Sequence, residues 1–109
     1  MPDADVYEAL LAAVAAGRPV ALATVVRTRG SVPRHAGSKM LIDPAHGLIG
    51  TIGGGCGEAD VLVAAQSAIA EGSARLVHVE LTDPITSFSP AVCGGIMDVF
   101  VEPILPHDE

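Results

Sequence analysis

The feature that most constrains this chain is a run of three consecutive glycines, Gly53, Gly54 and Gly55, followed at once by Cys56. A β-branched segment precedes the run and an alanine-rich segment follows it, an order that predicts a strand, a glycine turn and the start of a helix. Because the first N–H groups of a helix have no partner within the helix, a glycine turn at this point favours an anion pocket. The helix dipole would also favour the thiolate form of Cys56.

A second cysteine is flanked by glycines in the same way. Cys93 and Gly94 lie directly before the last predicted strand, and two such cysteines suggest two thiols that face one pocket. The alternative is that both are small buried residues, because free cysteine is among the most buried residue types. Glu58 lies in the first turn of the predicted helix, where it is either a cap or an acid or base of the site, and the cap is the simpler interpretation.

Basic residues are concentrated just before the glycine run. Of the six lysines and arginines, four lie between positions 27 and 39: Arg27, Arg29, Arg34 and Lys39. They are either ordinary surface charge or a basic rim for an anionic small molecule, and their position before the glycine turn favours the rim. The net charge of −7 argues against nonspecific binding to nucleic acid or to a membrane surface, since both require a basic face.

The composition limits the core and the cellular setting. Half of the residues are hydrophobic and only 3% are aromatic, so the core must be packed from Ala, Val, Leu and Ile. No apolar run approaches the ~20 residues of a membrane-spanning helix, and the acidic N-terminus does not resemble an export signal. We therefore expect a cytoplasmic chain with reduced cysteines and no metal site. The high mean hydropathy of +0.48 predicts a subunit or partner interface, with a homo-oligomer expected.

Hydrophobic periodicity predicts an α/β fold in a single domain, a mixed β-sheet of about five strands with two main helices packed on it. The predicted helices end at Gly17 and cover 59–71, and the predicted strands cover 20–26, 38–42, 48–52, 75–81 and 96–102. Strands 38–42 and 48–52 should form an antiparallel hairpin, while the order of the other strands stays open. The domain is expected to span residues 1–103, followed by an acidic tail over 104–109.

Several separate motifs give the chain a family likeness. They are RGSVPR at 29–34, GSKM at 37–40, GTIGGGCGE at 50–58, CGG at 93–95 and VEP at 101–103. In order and spacing they resemble the XdhC/CoxI family over residues 20 to 103. The resemblance implies an accessory or maturation factor for a molybdenum hydroxylase, such as xanthine dehydrogenase or carbon monoxide dehydrogenase.

The resemblance also implies a ligand and partners. Family members are thought to bind the molybdenum cofactor (molybdopterin) transiently, to protect it while a cysteine desulfurase supplies its terminal sulfur, and to help insert it into the hydroxylase apoenzyme. They are described as chaperones rather than enzymes with their own turnover. Carried over by position, Cys56 and Cys93 would contact molybdenum or carry sulfur. The expected cofactor-binding residues are Gly53, Gly54, Gly55, Cys56, Glu58, Arg29, Arg34, Lys39, Cys93 and Gly94.

The likeness covers only part of the longer family members, which resemble two-domain proteins with a following Rossmann-type domain. This chain is therefore expected to be a short member or one half of a split pair with a separate Rossmann-domain subunit. An alternative function is a non-catalytic oligomeric interaction module that works with that subunit and contains structural cysteines. A small enzyme of thiol or phosphate chemistry ranks last, because no Ser/His/Asp set or carboxylate pair supports it.

Overall fold

The computed structural model describes residues 4–30, 36–50, 58–80 and 95–106. Within these ranges the chain forms two helices and five strands. The helices are α1 (Ala4–Ala16) and α2 (Glu58–Glu71), and the strands are β1 (Val20–Arg29), β2 (Lys39–Asp43), β3 (Gly47–Gly50), β4 (Arg75–Glu80) and β5 (Ile96–Ile104). The predicted α/β class, with two helices packed on five strands, is confirmed.

The five strands form one sheet in the order β3-β2-β1-β5-β4, and the described pairs are all antiparallel. The predicted hairpin is present as β2 and β3, in which Ile42 pairs with Leu48. The sequence pattern predicted a mixed sheet, and the difference arises from the path of the chain through α2. This helix lies between the two edge strands in the sequence, so the chain crosses the whole sheet instead of linking neighbouring parallel strands.

β1 is longer than predicted, because residues 27–29, expected to be loop, continue the strand. A β-bulge interrupts it at Val26: Val25 pairs with Val99, whereas Arg27 pairs with Asp98. Regular alternation from Val20 would place Arg27 on the same face as Ala21 and Ala23. The extra residue transfers it to the opposite face, next to Asp98.

One face of the sheet packs against α2 in the larger of two hydrophobic clusters. Its buried members are Ala21, Ala23, Val25, Met40, Ile42, Val61, Ala65, Ala68, Val79, Met97, Val99 and Val101. Alanines on both sides, two from β1 and two from α2, leave room for the helix to lie close to the strands. Most of the core is therefore aliphatic, as the composition predicted.

The opposite face carries α1, whose buried Val6 and Ala13 pack with Val20, Leu22 and Leu41. This smaller cluster draws on β1 and β2, with Ile49 of β3 packed against it. Val14 of α1 is apolar but does not pack in this cluster, and it is 54% exposed. α1 therefore covers only one half of this face of the sheet, the half on the side of β2 and β3.

A buried carboxylate fixes the end of α1 to the sheet. Gly17 ends the helix with a φ of +73°, and the next residue, Arg18, forms an ion pair of 2.9 Å with Asp43 at the end of β2. Asp43 also accepts a hydrogen bond of 2.9 Å from the backbone N–H of Ala45. Burial raises the pKa of Asp43, but these two hydrogen bonds outweigh burial and lower it below its ordinary value.

Candidate functional site

Three of the predicted site residues lie within the described ranges. Arg29 is the exposed last residue of β1, and Glu58 is the first residue of α2. Lys39 begins β2, where it pairs with Thr24, and its Nζ lies 3.3 Å from the Thr24 Oγ1. The register places both side chains on the face that carries α1, but Arg29 lies at the end of β1 whereas Lys39 lies opposite the middle of that strand.

The other predicted site residues lie outside the described residues. These are Arg34, Gly53, Gly54, Gly55, Cys56, Cys93 and Gly94. The convergence of the two cysteines on one pocket therefore stays a prediction, and so does the glycine cradle.

A row of three polar residues crosses the sheet next to Arg29. The register places Arg27 of β1 opposite Asp98 of β5, and Asp98 opposite His78 of β4. The Arg27 Nε lies 2.8 Å from Asp98 Oδ2, and the His78 Nδ1 lies 2.8 Å from Asp98 Oδ1. Asp98 thus holds a guanidinium and an imidazole side by side, one on each carboxylate oxygen. We call Arg27, Arg29, His78 and Asp98 the sheet-end cluster.

Electrostatics within the sheet-end cluster favour the charged forms. The hydrogen bond with Asp98 raises the pKa of His78 above its ordinary value of 6.5, and Glu80 adds to this because its Oε2 lies 3.4 Å from the His78 Nε2. Hydrogen bonds from His78 and then from Arg27 lower the pKa of Asp98. Near neutral pH the cluster therefore contains an ionised carboxylate, two guanidinium groups and an imidazole that is readily protonated.

The sheet-end cluster lines a small cavity of about 180 Å³, which Thr28 and Ile96 complete. Two arginines and a histidine lie around one carboxylate, so the cavity has more basic than acidic groups. An anion that enters it would meet N–H donors. Such a site suits one phosphate-sized group rather than a large ligand.

The starts of α2 and β5 lie at this same end of the sheet. At the far end of α2, a Cβ built on Gly72 would lie 3.7 Å from the Leu105 Cδ1, so the helix ends beside the end of β5. Because α2 packs along β5 through the larger core cluster, its first turn lies toward Ile96, which pairs with Arg29. The predicted glycine–cysteine segments directly precede these two starts, although α2 and Arg29 lie on opposite faces of the sheet.

Sequence reasoning did not assign His78 and Asp98 to the site. His78 lies in an alternating strand and Asp98 in another, and their outward positions alone indicate only solvated residues. The pairing arises from a register between segments far apart in the chain, which the local pattern does not contain. Arg27 belongs to the group of basic residues that cluster in the sequence. Its ion pair with Asp98 could not be predicted, because it depends on the bulge at Val26.

Two classes of feature are absent from the described ranges. No group of three or more His, Cys, Asp or Glu side chains there could hold a metal ion. No helix among the residues that the structure describes is long and apolar enough to cross a membrane.

Comparisons with known proteins agree with the motif resemblance. The family model of the XdhC and CoxI family matches residues 13–80. The uncharacterized protein YqeB of Escherichia coli (strain K12) is 37% identical over 83 residues, which cover 76% of this chain and 15% of YqeB. The crystal structure of a xanthine dehydrogenase (BH1974) from Bacillus halodurans is similar with a TM-score of 0.77 and 30% identity, covering 94% of this chain and 30% of that chain.

The matches cover the motifs unequally. The family model spans Arg29, Lys39, the glycine run and His78, whereas the structural similarity covers nearly the whole chain. This chain spans less than a third of either relative's length. Because the family model matches more than half of the residues, this chain belongs to the XdhC and CoxI family.

Proposed function

We propose that this chain is an accessory domain in the maturation of a molybdenum hydroxylase of the xanthine dehydrogenase or carbon monoxide dehydrogenase type. It binds the molybdenum cofactor transiently and assists its sulfuration or its insertion into the apoenzyme. It acts in the cytoplasm as a chaperone, with a cysteine desulfurase as sulfur donor. Family membership and the similarity to a protein described as a xanthine dehydrogenase support the link to a hydroxylase.

The sheet-end cluster fits the anionic part of such a cofactor. Molybdopterin carries a phosphate, and a planar guanidinium binds a phosphate through two N–H donors. The cavity of about 180 Å³ is smaller than the ~300–1,000 Å³ of pockets that enclose a whole drug-sized ligand. The cluster would therefore hold the phosphate, with the remainder of the cofactor outside this cavity.

Each residue of the sheet-end cluster has a distinct task in this proposal. Asp98 accepts hydrogen bonds from Arg27 Nε and His78 Nδ1, and it thereby orients the guanidinium and the imidazole. The pair with Asp98 uses Nε of Arg27, which leaves its terminal guanidinium nitrogens to donate to an anion. Arg29, one row further along β1, supplies the second guanidinium.

The bound cofactor would supply the molybdenum centre that receives sulfur. This chain would offer the thiolates of Cys56 and Cys93, because the thiolate is the form of cysteine that binds metals and carries sulfur. The glycines at 53–55 would bring backbone N–H groups close to the same anionic ligand.

The observation that carries this proposal is the convergence at one end of the sheet. Arg27, Arg29 and His78 lie there, and both α2 and β5 begin there. The two glycine–cysteine segments directly precede those starts in the sequence. This arrangement supports a site at the sheet end that uses residues from both faces.

An anaerobic binding measurement tests the proposal. Molybdenum cofactor released from a purified hydroxylase is titrated into the wild-type chain and into Arg29→Ala. Loss of a charge-assisted contact to phosphate is expected to weaken binding about tenfold. The matched control is Arg75→Ala, which removes an arginine that pairs with Glu71 at 2.7 Å at the far end of α2 and should leave affinity unchanged.

Equal affinities for the Arg29→Ala and Arg75→Ala variants would contradict the phosphate role of the sheet-end cluster. Cys56→Ala and Cys93→Ala are expected to weaken retention of the cofactor. If the wild-type chain fails to bind even with a separate Rossmann-domain subunit supplied, the cofactor proposal as a whole is wrong.

The alternative function, an oligomeric interaction module with structural cysteines, is favoured by exposed apolar side chains such as Leu11, which is 69% exposed. Thiol alkylation at neutral pH separates the two functions. Rapid labelling of Cys56 would indicate an activated thiolate and favour the cofactor role. Slow labelling of both cysteines in the folded chain would favour the module.

A further inference from the structure

The imidazole of His78 lies between two carboxylates that hold it unequally. Its Nδ1 lies 2.8 Å from Asp98 Oδ1, whereas its Nε2 lies 3.4 Å from Glu80 Oε2. The first distance is that of a strong hydrogen bond, and the second is longer than a good one. The side chain of Asp98 is 14% exposed and that of Glu80 is 64% exposed. Asp98 is therefore the fixed partner of His78, and Glu80 is the exchangeable one.

This geometry gives the two ring nitrogens different roles. A neutral imidazole carries one proton, and the short contact with Asp98 keeps that proton on Nδ1. Nε2 then presents a lone pair, which repels the Glu80 carboxylate and any anion that enters the cavity beside it. Only the protonated ring donates from both nitrogens. His78 can therefore hold an anion through Nε2 only after it has taken up a proton.

The charged groups near His78 come from three strands. β4 is an edge strand that pairs with β5. The groups on the same face as the imidazole are Glu80 of β4, Asp98 of β5, and Arg27 and Arg29 of β1. α2 packs on the opposite face of β4, against Val77 and Val79. The sheet therefore separates its residues Asp60 and Glu71 from the imidazole.

We propose that His78 couples anion binding at the sheet-end cluster to the uptake of one proton, and that the anion takes the place of Glu80 at Nε2. This inference rests on the phosphate role proposed for the cluster and adds its regulation. The proton comes from solvent and binds to Nε2. Arg27 and Arg29 stay charged at every physiological pH, so the arginines attract the anion throughout and His78 supplies a donor that depends on pH.

The electrostatics of the free chain agree with this coupling. The hydrogen bond with Asp98 raises the pKa of His78 above 6.5, so protonation is within reach near neutral pH. A bound anion would replace the Glu80 carboxylate with a group of higher charge and would raise the pKa of His78 further. Binding of the anion and binding of the proton then favour each other.

Sulfate is a suitable probe, because it resembles phosphate in shape and keeps its charge near neutral pH, whereas a phosphate monoester titrates near about pH 6. The affinity of the wild-type chain for sulfate is measured by calorimetry at constant ionic strength over a range of pH. It is expected to fall about tenfold as pH rises through the folded-state pKa of His78. NMR titration of the imidazole should show that sulfate raises this pKa, with His46 as an internal reference.

Two matched pairs of variants separate the roles of His78 and Glu80. His78→Gln keeps an N–H donor that does not titrate, so it should remove the pH dependence, while His46→Gln in the β2–β3 turn should retain it. Glu80→Gln removes the displaced carboxylate and should tighten sulfate binding at low pH. Its control is Glu102→Gln, which removes a carboxylate on the same face, opposite Leu22, and should change the affinity less.

The outcomes distinguish this inference from the proposed function. Sulfate that binds with the same affinity at every pH, and leaves the pKa of His78 unchanged, overturns the coupling but not the phosphate role. A wild-type chain that binds sulfate at no pH overturns both. A pH dependence that persists in His78→Gln assigns the proton to another group and contradicts the role of His78. Equal effects of Glu80→Gln and Glu102→Gln would show that the anion does not displace Glu80.

Discussion

β3 begins and ends with a glycine, and the surroundings of these two glycines differ. Gly47 and Gly50 both adopt positive φ angles, +95° and +82°, which non-glycine residues rarely adopt. A Cβ at Gly47 would have nothing within 4 Å, whereas a Cβ at Gly50 would lie 2.7 Å from Val6 Cγ2 and 2.9 Å from the backbone oxygen of Lys39. Gly50 therefore allows α1 and β2 to approach β3 closely.

We expect Gly47→Ala to lower the free energy of unfolding by about 1 kcal/mol, the cost of the positive φ alone. Gly50→Ala should cost about 3 kcal/mol, because the added methyl group also overlaps a side chain and a rigid backbone oxygen. Urea denaturation of both variants measures the difference. Equal costs for the two substitutions would mean that α1 is not held against Gly50.

The pKa of His78 is raised and the pKa of Asp98 is lowered, so the pair stabilises the fold only within a limited pH range. The pKa of His78 is raised above 6.5, so its contribution to stability is complete below that pH and is lost as pH rises through the folded-state pKa. The pKa of Asp98 is lowered below 3.8, so its contribution is present above that pH and is lost as pH falls through the folded-state pKa. The pair should therefore be fully formed between about pH 4 and 6.5.

We expect Asp98→Asn to lower the pKa of His78, since the main cause of its elevation is removed. NMR titration of the imidazole resonances measures this directly. Glu80→Gln is the control and should lower the pKa less, because its hydrogen bond to His78 is a smaller cause. If the two variants give the same pKa, Asp98 does not orient His78 in solution.

At the level of elements, the contact between α2 and the sheet depends on small side chains. Ala65 and Ala68 of α2 lie in the same buried cluster as Ala21 and Ala23 of β1. Small residues at these positions set the distance between helix and strands, because closely packed interiors have little free volume.

We expect Ala65→Leu to destabilise the fold by about 1–3 kcal/mol through overpacking. Val63→Leu, on the exposed side of the same helix, should change stability by less than about 0.5 kcal/mol. Thermal or urea unfolding distinguishes the two. A neutral Ala65→Leu would show that α2 can move away from the sheet without loss.

For the whole molecule, the two layers on the sheet are unequally anchored. α2 contributes three residues to a cluster that reaches β1, β2, β4 and β5, whereas α1 contributes two to a cluster at one side of the sheet. Elements with fewer buried contacts open at lower free energy. α1 is therefore expected to open while the sheet and α2 remain folded.

Hydrogen exchange tests this order of stability with a matched pair of variants. Val6→Ala and Val61→Ala both shorten a fully buried valine in a helix. Val6→Ala should speed exchange in α1 by about tenfold or more and leave β5 nearly unchanged. Val61→Ala should speed exchange throughout the sheet. A uniform change in both variants would indicate that the molecule opens as one unit.

The sequence predicted the features that depend on neighbouring residues. Helical spacing located α1 and α2, and the proline and glycine of the 43–47 turn located the β2–β3 hairpin. The strand order, the antiparallel pairing throughout and the His78–Asp98 contact depend on registers between distant segments, which local periodicity does not encode. For the candidate site, the sequence identified Arg29 and Lys39 through charge clustering, but it did not indicate that Asp98 would hold Arg27.

The bulge at Val26 adds one residue to β1 that has no partner in the register with β5. If Val26 were deleted, Arg27 would follow Val25 directly and would still stand opposite Asp98, because the pairings on both sides of the bulge would close into a regular ladder. Deletion of Val26 would therefore leave both arginines on the same face of the sheet. The extra residue at the bulge thus makes the positions of Arg27 and Arg29 tolerant of a one-residue deletion in β1.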